Sequence, residues 1–156
     1  LDEIMPANVN VLYSDRYVIR EELRLADLVI GAVLIPGAKA PRLVTRDDLK
    51  LMKPGSVIID VAIDQGGCLE SSRPTSHQEP TFTEEDVVHY CVTNMPGAVP
   101  LTATHALNQV TLPFILDLAN KGIDVALNDD EHLHNGLNIQ GGEGKHQAVQ
   151  AALFGQ

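Results

Sequence analysis

The sequence has 156 residues, 44% of them hydrophobic, and its 21 acidic and 11 basic residues give a formal net charge of −10. The length suits one domain, or one domain with part of another. This composition is typical of a packed globular protein and excludes an intrinsically disordered one. The charge argues against a nucleic-acid partner, but single basic residues can still bind the phosphates of a nucleotide cofactor.

Several classes of protein are excluded by short patterns. No apolar run reaches the roughly 18 residues of a membrane span, and the first residues lack the features of a signal peptide. Because the sequence does not start with Met, we expect it to begin inside a longer protein. Cys68 and Cys91 form neither a disulfide framework nor a zinc motif, so we expect packing residues in a reducing cytoplasm. His132 and His134 lack a nearby acidic ligand at helical spacing, and we predict no metal site.

The predicted elements alternate along the chain. In chain order they are a strand (9–13), a helix (15–26), a strand (27–33), a helix (45–52), a strand (56–62), a polar loop (65–85), a strand (87–92), a long helix (102–121) and a short helix (145–153). The nearly continuous apolar runs in 27–33 and 56–62 are typical of strands buried on both faces. Pro113 should kink the long helix or start a new one. This order predicts an α/β fold with a parallel sheet.

Loops that follow the strands are the candidate ligand sites, because open parallel sheets bind ligands at the carboxyl ends of their strands. In the first loop, 32–41, Gly37 allows a close backbone approach, and Val33 and Leu34 are suited to pack on an adenine or ribose. An ordinary strand-to-helix connection is the alternative interpretation.

The second loop carries two carboxylates. Asp60 still lies within the strand and is interpreted as structural. Asp64 precedes Gly66 and Gly67 and is placed to meet a substrate or a cofactor ring and to exchange protons with it. The alternative is that Asp64 only caps the loop through backbone N–H groups.

Polar groups also accompany the last strand. Asn94 offers donors and an acceptor to a carboxamide, and Met95 is suited to cover an apolar ring. A rigid turn made by the prolines around them is the alternative. Arg73, the one cation between Asp64 and Pro80, is suited to bind a phosphate or carboxylate bidentately, unless it is simply a solvated side chain.

These loops resemble alanine dehydrogenase. The matching strings are ADLVIGAVLIPGAKAP (26–41), MKPGSVIIDVAIDQGGC (52–68), SRPTSHQEPTF (72–82) and HYCVTNMPGAVPLTATHALNQVTLPF (89–114). The alpha subunit of proton-translocating transhydrogenase is similar in fold and in the KPGSVI turn, but the DVAIDQGG string is closer to alanine dehydrogenase.

The resemblance implies NAD-dependent oxidative deamination of L-alanine to pyruvate and ammonium, in a cytoplasmic homo-oligomer. It implies that Asp64 is the catalytic aspartate, a proton carrier near the nicotinamide. The positions that match cofactor contacts are Ser14, Val33, Leu34, Val61, Ala62, Ile63, Asp64, Arg73, Val92, Thr93, Asn94 and Met95. Thr93 departs from the alanine expected there, which a backbone contact would tolerate.

Other parts of the family pattern do not occur in this sequence, namely the glycine-rich phosphate loop, the acidic ribose ligand and the substrate-binding lysine, arginine and histidine. We therefore expect residues 1–102 to form the later half of a Rossmann-type NAD-binding domain. Residues 103–156 are expected to form a helical segment that returns to the catalytic domain. We also expect a fragment that is inactive alone. The alternatives are a non-catalytic nucleotide-binding or interaction module left from a truncated dehydrogenase, and a relative of the transhydrogenase alpha subunit.

Overall fold

A computed structural model describes residues 4–35 and 39–154 of the chain, which divides into two compact units, Leu1–Met95 and Pro96–Gln156. The first unit contains a four-stranded sheet, and the second is mainly helical. The boundary at residue 102 between an NAD-binding domain and a catalytic segment stays a prediction. None of the described helices is both long and apolar enough to cross a membrane.

The sheet of the first unit is mostly parallel. Its strands are β1 (Leu28–Gly31), β2 (Val57–Asp60), β3 (Thr81–Glu84) and β4 (Val87–Tyr90), in the order β1-β2-β4-β3. β1, β2 and β4 run parallel, and β3 pairs antiparallel with β4. The predicted α/β fold with a parallel sheet is confirmed, whereas β3 was not predicted, since it lies in the segment expected to be a loop.

Local hydrogen bonds explain where two helical segments begin. In α1 (Arg16–Leu25), the Asp15 side chain accepts from the backbone N–H of Val18 at 3.0 Å, as an N-cap does. The helix predicted over 45–52 is instead a short 3-10 helix, Asp47–Leu51. The Asp48 carboxylate accepts there from both the backbone N–H and the hydroxyl of Thr45, and these hydrogen bonds stabilise the start of the helix.

The core of the first unit lies around the middle of the sheet. Leu49, Ile58, Leu69 and Val87 are fully buried and belong to one hydrophobic cluster. They come from the 3-10 helix, two strands and the loop after β2, so burial of their apolar surface joins these segments. Buried Asp48 adds an ion pair at 3.3 Å to Arg20 of α1.

The strand predicted over 9–13 is wrong. Residues 9–13 have no strand assignment, and Val11, Leu12 and Tyr13 are 41%, 51% and 86% exposed. The apolar pattern is present, but a strand also needs a neighbour that takes its backbone hydrogen bonds. Within the described residues, no strand pairs with this segment.

β3 and β4 form a tight hairpin. Its two loop residues, Glu85 and Asp86, have φ values of 49° and 60°, the positive values that a type I′ turn requires at both central positions. Acidic residues occupy positions where Asn and Gly are usual, which is why the turn was not evident from the sequence.

The second unit begins with α2 (Pro100–Lys121), which continues through Pro113 and ends at Gly122 with φ of 79°. It goes on with α3 (Ile123–Asp129), α4 (Glu131–Asn135), the strand pair β5 (Ile139–Gln140) and β6 (Glu143–Gly144), and α5 (Gln147–Phe154). The predicted long and final helices are therefore confirmed, with shifts of one or two residues at their ends. α3, α4 and the strand pair were not predicted.

Candidate functional site

The carboxyl ends of β1, β2 and β4 lie at one edge of the sheet, because these three strands are parallel and adjacent. Three loops leave that edge, and they contain all but one of the predicted site residues. Ser14, which precedes α1, is the exception. Pro36, Gly37 and Ala38 of the first loop lie outside the described residues, so the expected close approach at Gly37 is untested.

Asp60, at the end of β2, holds the second loop together. Its side chain is completely buried and accepts from the backbone N–H groups of Ala62 at 3.0 Å and Cys68 at 2.9 Å. The Ser72 hydroxyl donates a third hydrogen bond to this carboxylate. A buried carboxylate needs such donors. The three hydrogen bonds hold the segment from Ala62 to Ser72 against the end of β2. The interpretation of Asp60 as structural is supported by this network.

Asp64 lies on the short 3-10 helix Val61–Gln65 that Asp60 caps. It is exposed and lines a cleft of about 280 Å³ whose walls come from the loops after β1 and β2. The lining residues are Ala32, Val33, Leu34, Val61, Ala62, Asp64 and Gln65. The volume is close to the lower limit, roughly 300 Å³, of sites for drug-sized ligands, so the cleft can hold part of a dinucleotide.

Gln65 connects the two walls of this cleft. Its backbone carbonyl accepts from the N–H of Ala40 at 3.1 Å, which ties the first loop to the second. Its side-chain oxygen is buried and has no hydrogen-bond partner among the described residues. A buried acceptor without a donor is rare in proteins, and it suits a ligand that brings an N–H group.

Ser14 lines a second, larger cleft of about 610 Å³ between α1 and β1. Val33 borders both clefts, so it is shared by the cleft that Ser14 lines and the cleft that Asp64 lines. The walls of the larger cleft are mainly apolar, including Leu12, Val18 and Leu28.

Arg73, in the loop after β2, and residues 92–95, after β4, form a second group. Thr75 pairs with Val92, and the His77 ring nitrogen Nε2 lies 3.1 Å from the backbone oxygen of Asn94. This places the segment that follows Arg73 beside residues 92–95. Val92 is fully buried, whereas the neighbouring Thr93 and Asn94 are exposed and Met95 is half-buried. Asn94 has φ of 56°, a backbone conformation that Asn tolerates better than most residues.

The two groups share the sheet edge but not a cleft. The residues that line the Asp64 cleft do not include Arg73 or Asn94. Ile63, on the short helix Val61–Gln65, is buried and does not line the cleft either. The link between the groups is the loop that Asp60 holds through Ser72, the residue before Arg73.

Both cysteines are buried thiols beside the Asp60 carboxylate. Burial raises the pKa of Cys68 to about 11, and the nearby Asp60 charge adds to the rise. The pKa of Cys91 is also raised by burial, and again Asp60 contributes. Both thiols are free. Protonated, buried thiols are poor nucleophiles, which supports the interpretation of these cysteines as packing residues.

Sequence reasoning missed a stack of side chains next to this site. The Arg73 guanidinium lies over the Phe82 ring, 4.2 Å from its centroid, and Phe82 in turn stacks on His89. His89 is fully buried, and burial lowers the pKa of its imidazole. Alternating Thr81-Phe82-Thr83 was the available signal for the strand that carries Phe82, but the stack depends on strand pairing that a single segment does not reveal.

The chain is similar to known proteins of one family. The family model described as alanine dehydrogenase/PNT, C-terminal domain, matches residues 1–147. The alanine dehydrogenase of Halomonas elongata is 53% identical over 153 residues, covering 98% of this chain and 41% of that enzyme. The alanine dehydrogenase of Mycolicibacterium smegmatis is 52% identical over 145 residues, covering 93% and 39%.

Solved structures show the same fold. A structure named L-alanine dehydrogenase has a TM-score of 0.84 and 49% identity, covering 99% of this chain and 42% of the other. A transhydrogenase from Sinorhizobium meliloti has a TM-score of 0.60 and 30% identity, covering 86% and 36%. This chain thus spans about two fifths of the length of the curated relatives that it matches. The resemblance read from the sequence is confirmed: the chain belongs to the family of the alanine dehydrogenase/PNT C-terminal domain.

Proposed function

We propose that this chain supplies the C-terminal part of the NAD site of an alanine dehydrogenase, which converts L-alanine to pyruvate and ammonium. Family membership supports the reaction class. The observation that carries the proposal is the cleft in which exposed Asp64 lies opposite Val33 and Leu34. That arrangement combines an apolar wall with one carboxylate, which suits a flat ring that reacts beside a proton carrier.

The residues present fit a nicotinamide dinucleotide. The buried side-chain oxygen of Gln65, without a donor among the described residues, is suited to accept from a carboxamide N–H. Arg73 is exposed and suited to bind a phosphate. NAD, when bound, supplies the chemistry of hydride acceptance.

We assign Asp64 the role of proton carrier, since it is the carboxylate that lines the cleft. Val33 and Leu34 form the wall that excludes water from one side of the ring. Ser14 and the 61–63 segment contribute further cofactor contacts.

Residues 92–95 complete the proposed contacts. Thr93 and Asn94 are exposed after β4, on the same sheet edge as Asp64. Val92 is buried, so its contribution is to hold the backbone of this turn in place.

The cofactor proposal is tested by titrating the chain with NAD and following backbone amide resonances by NMR. Shifts concentrated in residues 32–34, 61–65, 73 and 92–95 are expected. Arg73→Ala should weaken binding, whereas Arg24→Ala, which removes an exposed arginine on α1, is the matched control and should not. An NAD titration that leaves these residues unshifted, or shifts only distant ones, would refute the proposed site.

The reaction is tested in a chimera, because we expect the chain alone to form no NADH from alanine. The chain replaces the matching region of the Halomonas elongata enzyme, and alanine-dependent NADH formation is measured. Activity is expected, with a large loss in Asp64→Asn, since the amide cannot carry the proton. Activity in the isolated chain would contradict the first expectation. A folded chimera that binds NAD but is inactive would instead favour a non-catalytic nucleotide-binding module.

We further propose a cytoplasmic homo-oligomer. The free cysteines are consistent with a reducing compartment. α2 has no buried residue, although it exposes Leu107, Val110, Ile115 and Leu116, and a helix that is apolar on all sides is normally covered. Sedimentation should therefore show self-association, and a monodisperse monomer with a cooperative melt would count against it.

A further inference from the structure

Two of the three side chains in the stack of Arg73, Phe82 and His89 belong to the sheet. Phe82 of β3 and His89 of β4 are directly paired in the antiparallel register. Their rings stack with centroids 4.7 Å apart and planes inclined by 18°, and the Arg73 guanidinium lies over Phe82. Register fixes the distance between such opposite residues, so the stack follows from the pairing of the hairpin.

Two hydrogen bonds fix the orientation of the His89 ring. The Nδ1 atom of His89 lies 2.9 Å from the carbonyl oxygen of Val87, and Nε2 lies 2.9 Å from the hydroxyl of Ser71. Because a carbonyl can only accept, Nδ1 carries the proton, and Nε2 of the neutral ring accepts from Ser71. The ring can therefore neither rotate nor flip without breaking two buried hydrogen bonds.

Arg73 differs from most other arginines of this unit in how it is held. Arg20, Arg24 and Arg46 form ion pairs with carboxylates, and Arg42 donates to a backbone carbonyl. Within the described parts of the chain, no carboxylate or carbonyl engages the Arg73 guanidinium. A cation above an aromatic face keeps its in-plane N–H groups available, and those are the groups that bind phosphate bidentately.

We propose that Phe82 and His89 are positioning residues, a fixed aromatic platform that holds the Arg73 guanidinium ready for a phosphate of the cofactor. This inference rests on the proposed NAD site and deepens it. A preorganised guanidinium loses less conformational freedom on binding than a solvated one, so the platform raises affinity without touching the ligand.

The test is a double-mutant cycle on NAD affinity, measured by calorimetry with the full chain. Phe82→Leu keeps an apolar side chain but removes the ring, and we expect it to weaken binding about two- to fivefold, the scale of an exposed cation–π contact. Phe82→Tyr retains the ring and should restore wild-type affinity. In an Arg73→Ala background, Phe82→Leu should have no further effect, because the group that it positions is gone.

An equal loss in both backgrounds would show that Phe82 acts only through the fold and would overturn the inference. The Arg73 Nε–H resonance gives a second readout, because the ring current of Phe82 should shift it upfield in wild type and Phe82→Tyr but not in Phe82→Leu. If the wild-type chain does not bind NAD, the proposed cofactor site is refuted. The role of Phe82 and His89 is then tested by measuring the affinity for inorganic pyrophosphate. Weaker pyrophosphate binding in Phe82→Leu would support it, and equal or undetectable binding would refute it.

Discussion

Asp60→Asn should destabilise the first unit strongly, although the change adds and removes almost no volume. The carboxylate accepts from two buried backbone N–H groups, of Ala62 and Cys68, and from the Ser72 hydroxyl. An amide has one oxygen, so whichever way it is turned, its NH₂ group faces one of the two backbone donors. The hydroxyl of Ser72 can reverse its role, but a backbone N–H cannot.

The magnitude follows from that orphaned donor. Leaving a buried donor without a partner costs about 1–3 kcal/mol, and the remaining bonds lose the charge assistance of the carboxylate. We expect a loss of about 2–3 kcal/mol in the free energy of unfolding. For a unit of this size each kcal/mol lowers Tm by about 4–8 °C, so the expected decrease is on the order of 10–20 °C.

The assay is thermal and urea unfolding followed by circular dichroism, with Asp64→Asn as the matched control. Asp64 lies four positions further along on the helix that Asp60 caps, but its side chain is exposed. The same chemical change there should alter stability by less than about 0.5 kcal/mol. If the two variants unfold alike, Asp60 does not hold the loop as described.

Three further predictions concern other parts of the first unit. Burial lowers the pKa of His89 below its usual 6.5, so the unfolded state takes up a proton first as the pH falls below that value. The free energy of unfolding should therefore decrease as the pH falls from 6.5 to the lowered pKa, by up to about 1.4 kcal/mol per pH unit. The His89→Phe variant should lack this component of the pH dependence of Tm. Cys68 and Cys91 should resist iodoacetamide at pH 8 in the folded chain and react once it is unfolded, as judged by mass spectrometry; rapid labelling of the folded chain would contradict their burial and raised pKa values. A Cβ at Gly31 would lie 2.3 Å from the Cys68 sulfur, so Gly31→Ala should destabilise the unit by about 1–3 kcal/mol, and adding Cys68→Ala should restore part of the loss if that clash is the cause.

The sequence predicted the strands of the parallel sheet from continuous apolar runs, but the expected burial of 27–33 on both faces was wrong. Among the described residues β1 lies at the edge of the sheet, and its Leu28 and Ile30 are 52% and 59% exposed. The continuous apolar runs in 27–33 and 56–62 located β1 and β2, and their position located the loop that carries Asp64. The same patterns could not reveal that β2 stops at Asp60, because that end is set by a side chain which turns back to cap the next helix.

The sequence patterns did not reveal which strands pair with one another. Residues 9–13 carry a strand pattern but have no neighbouring strand among the described residues, whereas β3 forms because β4 lies beside it. The same distinction applies to the residues of the proposed site. Asp64 and Val33 were placed by the ends of predicted strands, but the support of Arg73 by Phe82 and His89 arises only when two strands align.

The connectivity of the sheet also bears on the order in which it assembles. Leu28 pairs with Val57, and Val57 with Val88, so each parallel contact closes a loop of about 30 residues, whereas Glu84 and Val87 close the hairpin across a two-residue turn. Short closures lose less chain entropy and occur within microseconds. We therefore expect β3 and β4 to associate first and the strands that present Asp64 to join afterwards. In pulsed hydrogen exchange during refolding, amides of residues 81–90 should gain protection before those of 28–31, and the reverse order would rule this out.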